Sequence, residues 1–432
     1  MTTVVLQGGD IIDSSGRRTA DVAYDRDTGL VTEVGQALTG DIELSASGCV
    51  VSPGLVDLHV HLRQPGHEAA ETIETGSRAA ALGGYTAVVT MPNTDPCTDS
   101  AAVVNSVLKW GEDALCEIKP SAAISVGREG KDLAPMAELV ELGVRMFTDD
   151  GTGVQDDQFM RNALEYAGGI PTPDGVPIVL SQHCEVTALS HGGVMHEGAW
   201  SARLGLGGQP REAEDLMVMR DIVLSRLTGT AVHFQHLSTI HSVELVREAK
   251  AAGLPVTAEA TTHHFTLTDA ACANYDTVFK VHPPLRTQAD VDAIRAGLAD
   301  GTIDAIATDH APHTPDSKER PFDSAPPGML GVETAFAIAN TELDLPLEDL
   351  LALMSWRPAK IAGLLPKHGG VIEPGSTANL AVLDPHAEWV IQGEGLASKA
   401  RNTPFEGKTV TGKARHTIYR GETVVENGKA TR

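Results

Sequence analysis

The stretch that decides the fold is LVDLHVHLRQPG, residues 55–66. It begins with an apolar run, 55–60, that has the length and composition of a buried β-strand. The run ends in two histidines, His59 and His61, which are two positions apart. Because successive side chains of a strand alternate between its faces, both imidazoles project to the same side. The stretch therefore predicts a buried strand with a pair of histidines at its carboxyl end.

Seven further strand-like runs follow, and helical stretches separate them. They are YTAVVT (85–90), AAISV (122–126), VRMFT (144–148), PIVLSQ (177–182), AVHFQH (231–236), PVTAEA (255–260) and IDAIAT (303–308). Alternating strands and helices indicate βαβ units and a parallel sheet. Eight such strands within about 250 residues predict an α/β fold, the (β/α)8 TIM barrel. A doubly wound open sheet is the alternative, but it normally has fewer strands and a glycine-rich first turn.

One of the helices is recognisable from its periodicity. After Pro210, the stretch REAEDLMVMRDIVLSRL spaces Leu216, Met219, Val223 and Leu227 at intervals of three and four residues, and acidic residues lie in its first turn. The spacing predicts a helix with these four side chains on one face.

The two ends of the chain differ from its centre. Residues 1–53 and 366–432 are short strand-like segments broken by Gly, Asp and Ser. Each end alone is too short to bury a core. We therefore predict that they meet as one small composite β-sandwich domain beside a barrel domain of residues 54–365.

Composition excludes several functions. The formal charge of −25, without any run of Lys and Arg, argues against nucleic-acid and membrane-surface partners. Five widely spaced cysteines indicate reduced thiols rather than a disulfide framework. No stretch approaches the roughly 18 apolar residues of a membrane span, and the first residues do not resemble a signal peptide. We expect a cytoplasmic protein.

Polar residues follow most of the predicted strands, where barrel enzymes build their sites. Besides the first pair, the strand ends carry His183, His236, Asp309 and the acidic pair Asp149 and Asp150. So many imidazoles and carboxylates at one rim would be costly to bury unpaired, and a bound metal explains them together. This ligand set suits Zn²⁺ first, with Co²⁺, Mn²⁺ or Fe²⁺ as weaker alternatives.

The number of candidate ligands predicts two ions rather than one. Six ligands exceed one tetrahedral zinc, so two ions that share a bridging carboxylate are expected. The bridge would come from the fourth strand end, VRMFTDDG, which contains no lysine. One of its two acids, Asp149 or Asp150, would bridge, and the other would make a turn hydrogen bond before Gly151.

With these residues in view, the chain resembles the amidohydrolase superfamily and, within it, the class I bacterial dihydroorotases, along nearly its whole length. The segments that carry the resemblance are VSPGLVDLHVHLRQPG (51–66), ETIETGSRAAALGGYTAVVTMPNT (71–94), MFTDDGTGVQ (146–155), QHCE (182–185), QHLST (235–239), PPLR (283–286) and ATDHAPHT (307–314). The combination of HLRxPG, MPNT, TDDG and TDHAPH is specific to the dihydroorotases.

The resemblance implies a role for individual residues. It implies one zinc on His59, His61 and Asp309, a second on His183 and His236, Asp150 as the bridge, and Asp309 as general base or acid. It also implies substrate contacts from Arg63, Asn93, His313 and the backbone at Pro327 and Gly328. Where the family usually has Asn before PPLR, this chain has His282, which can still make one hydrogen bond to substrate.

The implied activity is the zinc-dependent, reversible cyclisation of N-carbamoyl-L-aspartate to dihydroorotate in pyrimidine biosynthesis. In the ring-opening direction, a hydroxide held by the zinc ions would attack the ring amide, and Asp309 would transfer the proton. A homodimer and an aspartate carbamoyltransferase partner are expected. Two alternatives remain: another cyclic amidohydrolase, such as a hydantoinase or allantoinase, and a non-catalytic subunit of aspartate carbamoyltransferase. The filled ligand positions, the Asp-only bridge and Arg63 disfavour both.

Overall fold

The computed structural model describes residues 2–432. Its strands are β1 Thr3–Gln7, β2 Asp10–Asp13, β3 Gly16–Thr19, β4 Asp21–Asp25, β5 Leu30–Gly35, β6 Ile42–Ser45, β7 Val50–Pro53, β8 Leu55–Val60, β9 Tyr85–Thr90, β10 Glu117–Pro120, β11 Met146–Phe147, β12 Val179–Gln182, β13 Met195–His196, β14 Gly208–Gln209, β15 Val232–Phe234, β16 Val256–Thr261, β17 Ala305–Ala307, β18 Leu380–Val390, β19 Thr409–Tyr419, β20 Glu422–Glu426 and β21 Lys429–Ala430. Its α-helices are α1 Ile73–Leu82, α2 Ala101–Trp110, α3 Met136–Glu141, α4 Asp157–Gly169, α5 Thr187–Ser190, α6 Ala199–Leu204, α7 Glu212–Thr228, α8 Ile240–Ala251, α9 Gln288–Asp300, α10 Pro315–Lys318, α11 Ala335–Glu342, α12 Leu347–Met354 and α13 Trp356–Ile361.

The centre of the molecule consists of parallel strands with helices between them. One sheet has the order β10-β9-β8 and a second has the order β11-β12-β15-β16-β17. Single parallel bridges, from Val60 to His310 and from Ala122 to Phe147, connect the edges of the two sheets. Between these bridges the ladders are not continuous, so the arrangement is a TIM-barrel-type α/β fold.

Seven of the eight predicted runs contain a strand of this ring, and two of them, β8 and β9, have the predicted bounds. The third prediction, 122–126, is wrong: the strand there is β10, Glu117–Pro120, and the predicted segment contributes only the bridge at Ala122. Glu117 and Lys119 disguise this strand in the sequence. Distant groups satisfy their charges, because His368 contacts Glu117 at 2.9 Å and the carbonyl of Gly143 accepts from Lys119 at 3.3 Å.

The helix predicted after Pro210 is α7, but its orientation differs from what a single apolar face would imply. The core takes up the opposite face of the helix, including Met217, Val218 and Ile222. The four predicted side chains point outward and are 43% to 61% exposed. Since α7 is apolar on two sides, the periodicity alone could not tell which side faces the barrel.

The two ends of the chain are joined in one sheet. In the order β21-β20-β19-β18-β7-β2-β3, strands from the first 53 residues hydrogen-bond to strands from beyond residue 380. A separate sheet, β5-β4-β1-β6, comes from the first 45 residues alone. Buried side chains of both sheets, among them Leu6, Tyr24, Val382 and Ile418, form a second hydrophobic core.

The terminal sheet passes directly into the first strand of the ring. Only Gly54 separates β7 from β8, and a side chain at this position would lie 2.1 Å from Thr86. Glycine is thus required where the chain crosses between the two cores. Through this short connection, the terminal sheet supports the strand that carries His59 and His61.

Among the described residues, none of the helices has both the length and the apolar character needed to cross a bilayer.

Candidate active site

The predicted metal ligands come together at the carboxyl ends of the parallel strands. Two histidines belong to β8 or follow it at once, and the other ligands follow β11, β12, β15 and β17. All six side chains are at least 94% buried, and they are His59, His61, Asp150, His183, His236 and Asp309. Neighbouring parallel strands end at the same rim, which explains why residues so distant in sequence meet here.

Asp150 lies at the centre of this group. Its Oδ1 atom is 3.4 Å from Nε2 of His59, 3.5 Å from Nδ1 of His183 and 3.9 Å from Nε2 of His236. Its Oδ2 atom is 3.7 Å from Nε2 of His61. Burial alone would raise the pKa of Asp150, but the charge of His59 and the neighbouring imidazoles hold this pKa well below its usual value. A carboxylate among four imidazoles has the position of a bridge between two cations.

Asp309 contacts the first pair of histidines. Its Oδ1 atom is 2.9 Å from Nε2 of His61 and 3.5 Å from Nε2 of His59. Burial opposes ionisation of this carboxyl group, but His59 and His61 lower the pKa of Asp309 below its usual value. The group is therefore an ionised proton acceptor at neutral pH.

The donor set fits divalent metal. Nε2 of His59 is buried and has no hydrogen-bond partner in the described part of the chain, although polar groups in such positions are normally satisfied. Ligand atoms of His59, His61 and Asp309 lie within 4.8 Å of one another, and so do those of His59, Asp150 and His236. The second group contains His59 where the resemblance would place His183, whose Nδ1 atom is 3.0 Å from Nε2 of His236.

The other acid of the fourth strand end has a different environment. Both oxygens of Asp149 accept hydrogen bonds from the loop at residues 124–125, including those from the backbone N–H groups of Ile124 and Ser125 at 2.9 and 3.0 Å. Its backbone carbonyl also accepts from the N–H groups of Thr152 and Gly153 in a turn. Asp149 therefore fixes the loops of the rim.

A buried chain of polar groups supports His59 from behind. Nδ1 of His59 is 2.8 Å from Oε1 of Glu259, and Oε2 of Glu259 is 3.1 Å from Nε2 of His233. Nδ1 of His233 in turn contacts Thr257 at 2.8 Å. Sequence reasoning missed Glu259, although a carboxylate within the apolar seventh strand was a signal. Burial opposes its ionisation, but the hydrogen bonds from His233 and His59 lower the pKa of Glu259 to about 2.

A cavity of about 170 Å³ opens directly above the cluster. Every residue for which the resemblance implies a substrate contact lines it: Arg63, Asn93, His282, His313, Pro327 and Gly328. Five of the six predicted metal ligands also line the cavity, whereas His59 lies beneath it. The space therefore brings a small molecule against the cluster from one side.

Arg63 is the cationic group of this cavity. Its Nε atom donates to the carbonyl of Pro312 at 3.1 Å, and no carboxylate among residues 2–432 lies within the 4.0 Å of an ion pair. Burial lowers the pKa of Arg63 to about 10, so the side chain stays charged at neutral pH. A buried guanidinium without an acidic partner is expected to bind an anion.

Two further residues form the wall next to Arg63. Nε2 of His313 donates to the carbonyl of Pro327 at 2.7 Å, which fixes the tautomer of this ring. Gly328 has a φ of 138°, and a side chain there would lie 2.7 Å from Cβ of Ala311 and 2.8 Å from His313. The wall therefore requires glycine at this position.

Asn93 lines the cavity and also holds the ligands. Its Oδ1 atom is 2.9 Å from Nδ1 of His61, and its amide donates to Oδ2 of Asp150 at 3.2 Å. Because the amide oxygen accepts from Nδ1 of His61, Nε2 of this ring is left to face Asp309.

His282 has its own hydrogen-bond partner. Gln209, on β14, donates one amide hydrogen to the carbonyl of Gly193 and places the other 3.1 Å from Nε2 of His282. Nε2 must then accept, so the ring carries its hydrogen on Nδ1. Burial lowers the pKa of His282 to about 4, and the ring is neutral near pH 7.

Three site residues have backbones in the left-handed region. The φ angles are 61° for Arg63, 33° for His236 and 46° for Asp309. For residues other than glycine, this conformation costs on the order of 1–3 kcal/mol and is concentrated at functional sites. The backbone strain thus occurs where the candidate ligands and the anion-binding side chain are positioned.

Comparison with known proteins agrees with the fold and the site. A family model described as "Dihydro-orotase-like" matches residues 48–244, and one described as "Amidohydrolase family" matches residues 199–424. A protein named dihydroorotase from Pelotomaculum thermopropionicum is 46% identical over 412 residues, which is 94% of each chain. Another, from Mycobacterium leprae, is 47% identical over 378 residues, 86% of each chain.

Solved structures extend the comparison of the fold. The L-hydantoinase of Arthrobacter aurescens superposes with a TM-score of 0.88 at 24% identity, and covers 100% of this chain and 98% of its own. The dihydropyrimidinase of Brevibacillus agri NCHU1002 superposes with a TM-score of 0.85 at 23% identity, over 99% and 96% of the two chains.

The TIM-barrel-type fold, together with this cluster of histidines and aspartates, defines a hydrolase of the amidohydrolase class, whose members usually bind metal and act on small molecules. Within that class, the chain belongs to the dihydroorotase family.

Proposed function

We propose that this chain is a zinc-dependent dihydroorotase, which interconverts N-carbamoyl-L-aspartate and (S)-dihydroorotate in pyrimidine biosynthesis. The observation that carries the proposal is the position of Arg63. This buried cation has no acidic partner among the described residues, and it lines the same small cavity as the histidine and aspartate cluster. Dihydroorotate presents one carboxylate and one cyclic amide, which matches a cation beside a hydrolytic centre.

Six residues would hold two zinc ions. His59, His61 and Asp309 would bind one ion, His183 and His236 the other, and Asp150 would bridge them. Bound zinc polarises a carbonyl group and lowers the pKa of a coordinated water to about 7. The support for this assignment is the orphan Nε2 atom of His59 and the position of Asp150 among four imidazoles.

The cavity residues would orient the substrate. The guanidinium of Arg63 would bind the carboxylate in a bidentate fork, since Nε alone is occupied by Pro312. His282 would donate from Nδ1 to a ring oxygen, because Gln209 occupies its other nitrogen. His313 and the backbone at Pro327 and Gly328 would form the wall against which the ring lies.

Asp309 would carry the proton. In ring opening, its ionised carboxylate would take a proton from the attacking water and pass it to the departing ring nitrogen. The bond between the ring carbonyl carbon and this nitrogen breaks, and a carboxylate and a terminal amide result. In the biosynthetic direction, Asp309 would receive the amide proton as the ring closes.

The same proposal includes the finer features of the fold and assembly. The bridges at Val60 and Phe147 support one closed eight-stranded barrel over residues 54–365. The shared hydrophobic core of the two terminal sheets supports a composite sandwich of residues 1–53 and 366–432. All five cysteines are unpaired, which fits a cytoplasmic location. A homodimer and an aspartate carbamoyltransferase partner complete the proposal.

A substrate panel tests the activity. Purified chain, loaded with zinc, is assayed by ultraviolet absorbance for ring opening of dihydroorotate, hydantoin and allantoin. We expect dihydroorotate to be opened with the highest kcat/KM. Preference for hydantoin or allantoin would instead favour the other cyclic amidohydrolases. Absence of turnover in a folded, zinc-loaded chain would favour the non-catalytic subunit.

A further inference from the structure

The outer face of α7 is apolar over most of the length of the helix. Leu216, Met219, Val223 and Leu227 are exposed by 43%, 46%, 53% and 61%. At 100° per residue, their spacing places them along one line of the helix surface. We call these four residues the α7 stripe. Single exposed apolar residues are ordinary, but a contiguous row on one helix marks a contact surface.

Neighbouring elements flank the stripe and leave it open. α7 packs against α4 on one side and α8 on the other, and its inner face enters the core. The short helix α5 also contacts α7, and it carries Leu189, which is 43% exposed. The apolar surface thus continues from the stripe toward α5.

Opposite charges lie at the two ends of the stripe. Glu212 is exposed in the first turn of α7, and Arg226 is exposed in its last turn. Neither of them forms an ion pair within the described residues. Helical geometry places Glu212 on the line of the stripe and Arg226 at its edge.

This pattern is complementary to itself. When two α7 helices lie antiparallel about a two-fold axis near Met219, Leu216 of each meets Val223 of the other. The same arrangement brings Glu212 of each copy to Arg226 of the second copy. Isologous dimers are built in this way, since one patch serves both subunits. An anionic membrane is a poor alternative occupant because the chain has a charge of −25.

We propose that two copies of this chain associate through the α7 stripe, antiparallel, with Glu212 of each copy beside Arg226 of the other. The proposal identifies the surface of the expected homodimer. It uses no residue of the active-site cavity, so it can hold or fail independently of the proposed activity.

Sedimentation of the full chain over a range of micromolar concentrations tests the surface. We expect the wild-type chain to sediment as a dimer and Val223→Glu as a monomer, because the substitution buries two like charges at the contact. Ile42→Glu, on the distant strand β6, changes an exposed apolar residue in the same way and should remain dimeric. A monomeric wild-type chain, or a dimeric Val223→Glu, would overturn the proposal.

Charge reversal tests the antiparallel orientation. Glu212→Arg and Arg226→Glu should each weaken association by at least about threefold, since each places like charges together. The double reversal restores opposite charges and should recover the wild-type dissociation constant. Both positions are exposed, so circular dichroism should report an unchanged fold. A double variant as weak as the single ones would exclude this pairing.

Discussion

The carboxylate of Glu259 lies 2.8 Å from Nδ1 of His59, deep beneath the candidate metal cluster. A carboxylate can only accept at this distance, so Nδ1 of His59 donates and Nε2 is directed toward Asp150 and Asp309. The orientation of the most buried ligand therefore depends on a residue that never reaches the cavity.

Glu259→Gln is expected to weaken zinc binding about 10- to 100-fold, because loss of the carboxylate removes the charge that orients His59. A competitive chelator titration measures this affinity without an activity assay. Thr257→Val is the matched control, since it removes only the distant hydrogen bond to His233. Equal affinity in Glu259→Gln and wild type would show that His59 needs no such support.

The adjacent acids Asp149 and Asp150 should separate cleanly in a metal analysis. Asp150→Asn should lose bound zinc, because four imidazoles surround the carboxylate that it removes. Asp149→Asn should keep its zinc and melt at a lower temperature, because only the 124–125 loop depends on that carboxylate. Mass spectrometry of the metal content, with thermal melting, checks both. Full zinc retention in Asp150→Asn would contradict the bridging role.

Arg63→Lys should lower kcat/KM on dihydroorotate by about 10- to 100-fold, since an ammonium cannot reproduce the planar fork of the guanidinium. Steady-state kinetics of ring opening provide the measurement. Arg161→Lys, on the exposed surface of α4, makes the same exchange away from the cavity and should leave the constants unchanged. If Arg63→Lys also behaves as wild type, the substrate carboxylate binds elsewhere.

His282 departs from the Asn that its family usually carries, and Gln209 fixes its tautomer. We expect Gln209→Leu to raise KM for dihydroorotate several-fold with little change in kcat, because the ring loses its fixed donor. His282→Asn restores an amide donor and should retain activity. Collapse of activity in His282→Asn would give the imidazole a role that Asn cannot fill.

Glu333 makes the stability of the fold depend on pH. Its Oε2 atom accepts from the N–H of Ala397 at 2.8 Å, and burial raises the pKa of Glu333 from 4.5 to about 7. Between these values the folded chain binds more protons than the unfolded chain, so this contribution to stability is lost as the pH rises.

Glu333→Gln should therefore stabilise the protein at pH 8 by roughly 1–3 kcal/mol and have little effect near pH 4.5. Thermal melting at the two pH values measures the difference. Glu394→Gln, whose side chain is 92% exposed, is the control and should shift neither curve. A stabilisation that is equal at both pH values would exclude titration of Glu333 as its cause.

The sequence predicted the strands best where burial is complete on both faces. β8 and β9 are continuous apolar runs, so their bounds could be read directly. The strand β10 could not, because the partners that neutralise Glu117, Lys367 and His368, lie some 250 residues away in sequence. The stripe on α7 was misleading for a related reason, since a period reports an apolar face but not what covers it.

The candidate site divides in the same way. Residues at strand ends, such as His183 and Asp309, could be found from position alone, because the ends of parallel strands converge. Glu259 and Gln209 could not, since each acts on another side chain and neither stands in a recognisable motif. Contacts of this kind depend on packing in three dimensions, which the strand pattern does not encode.

The seven-stranded terminal sheet has a consequence for the order in which the protein can be completed. β7, which continues through Gly54 into the strand of His59 and His61, is flanked on one side by β18. During synthesis the first ligand strand leaves the ribosome early, but the strands that brace it emerge among the last. A chain that is shortened before β18 is thus expected to be defective at a site more than 300 residues upstream.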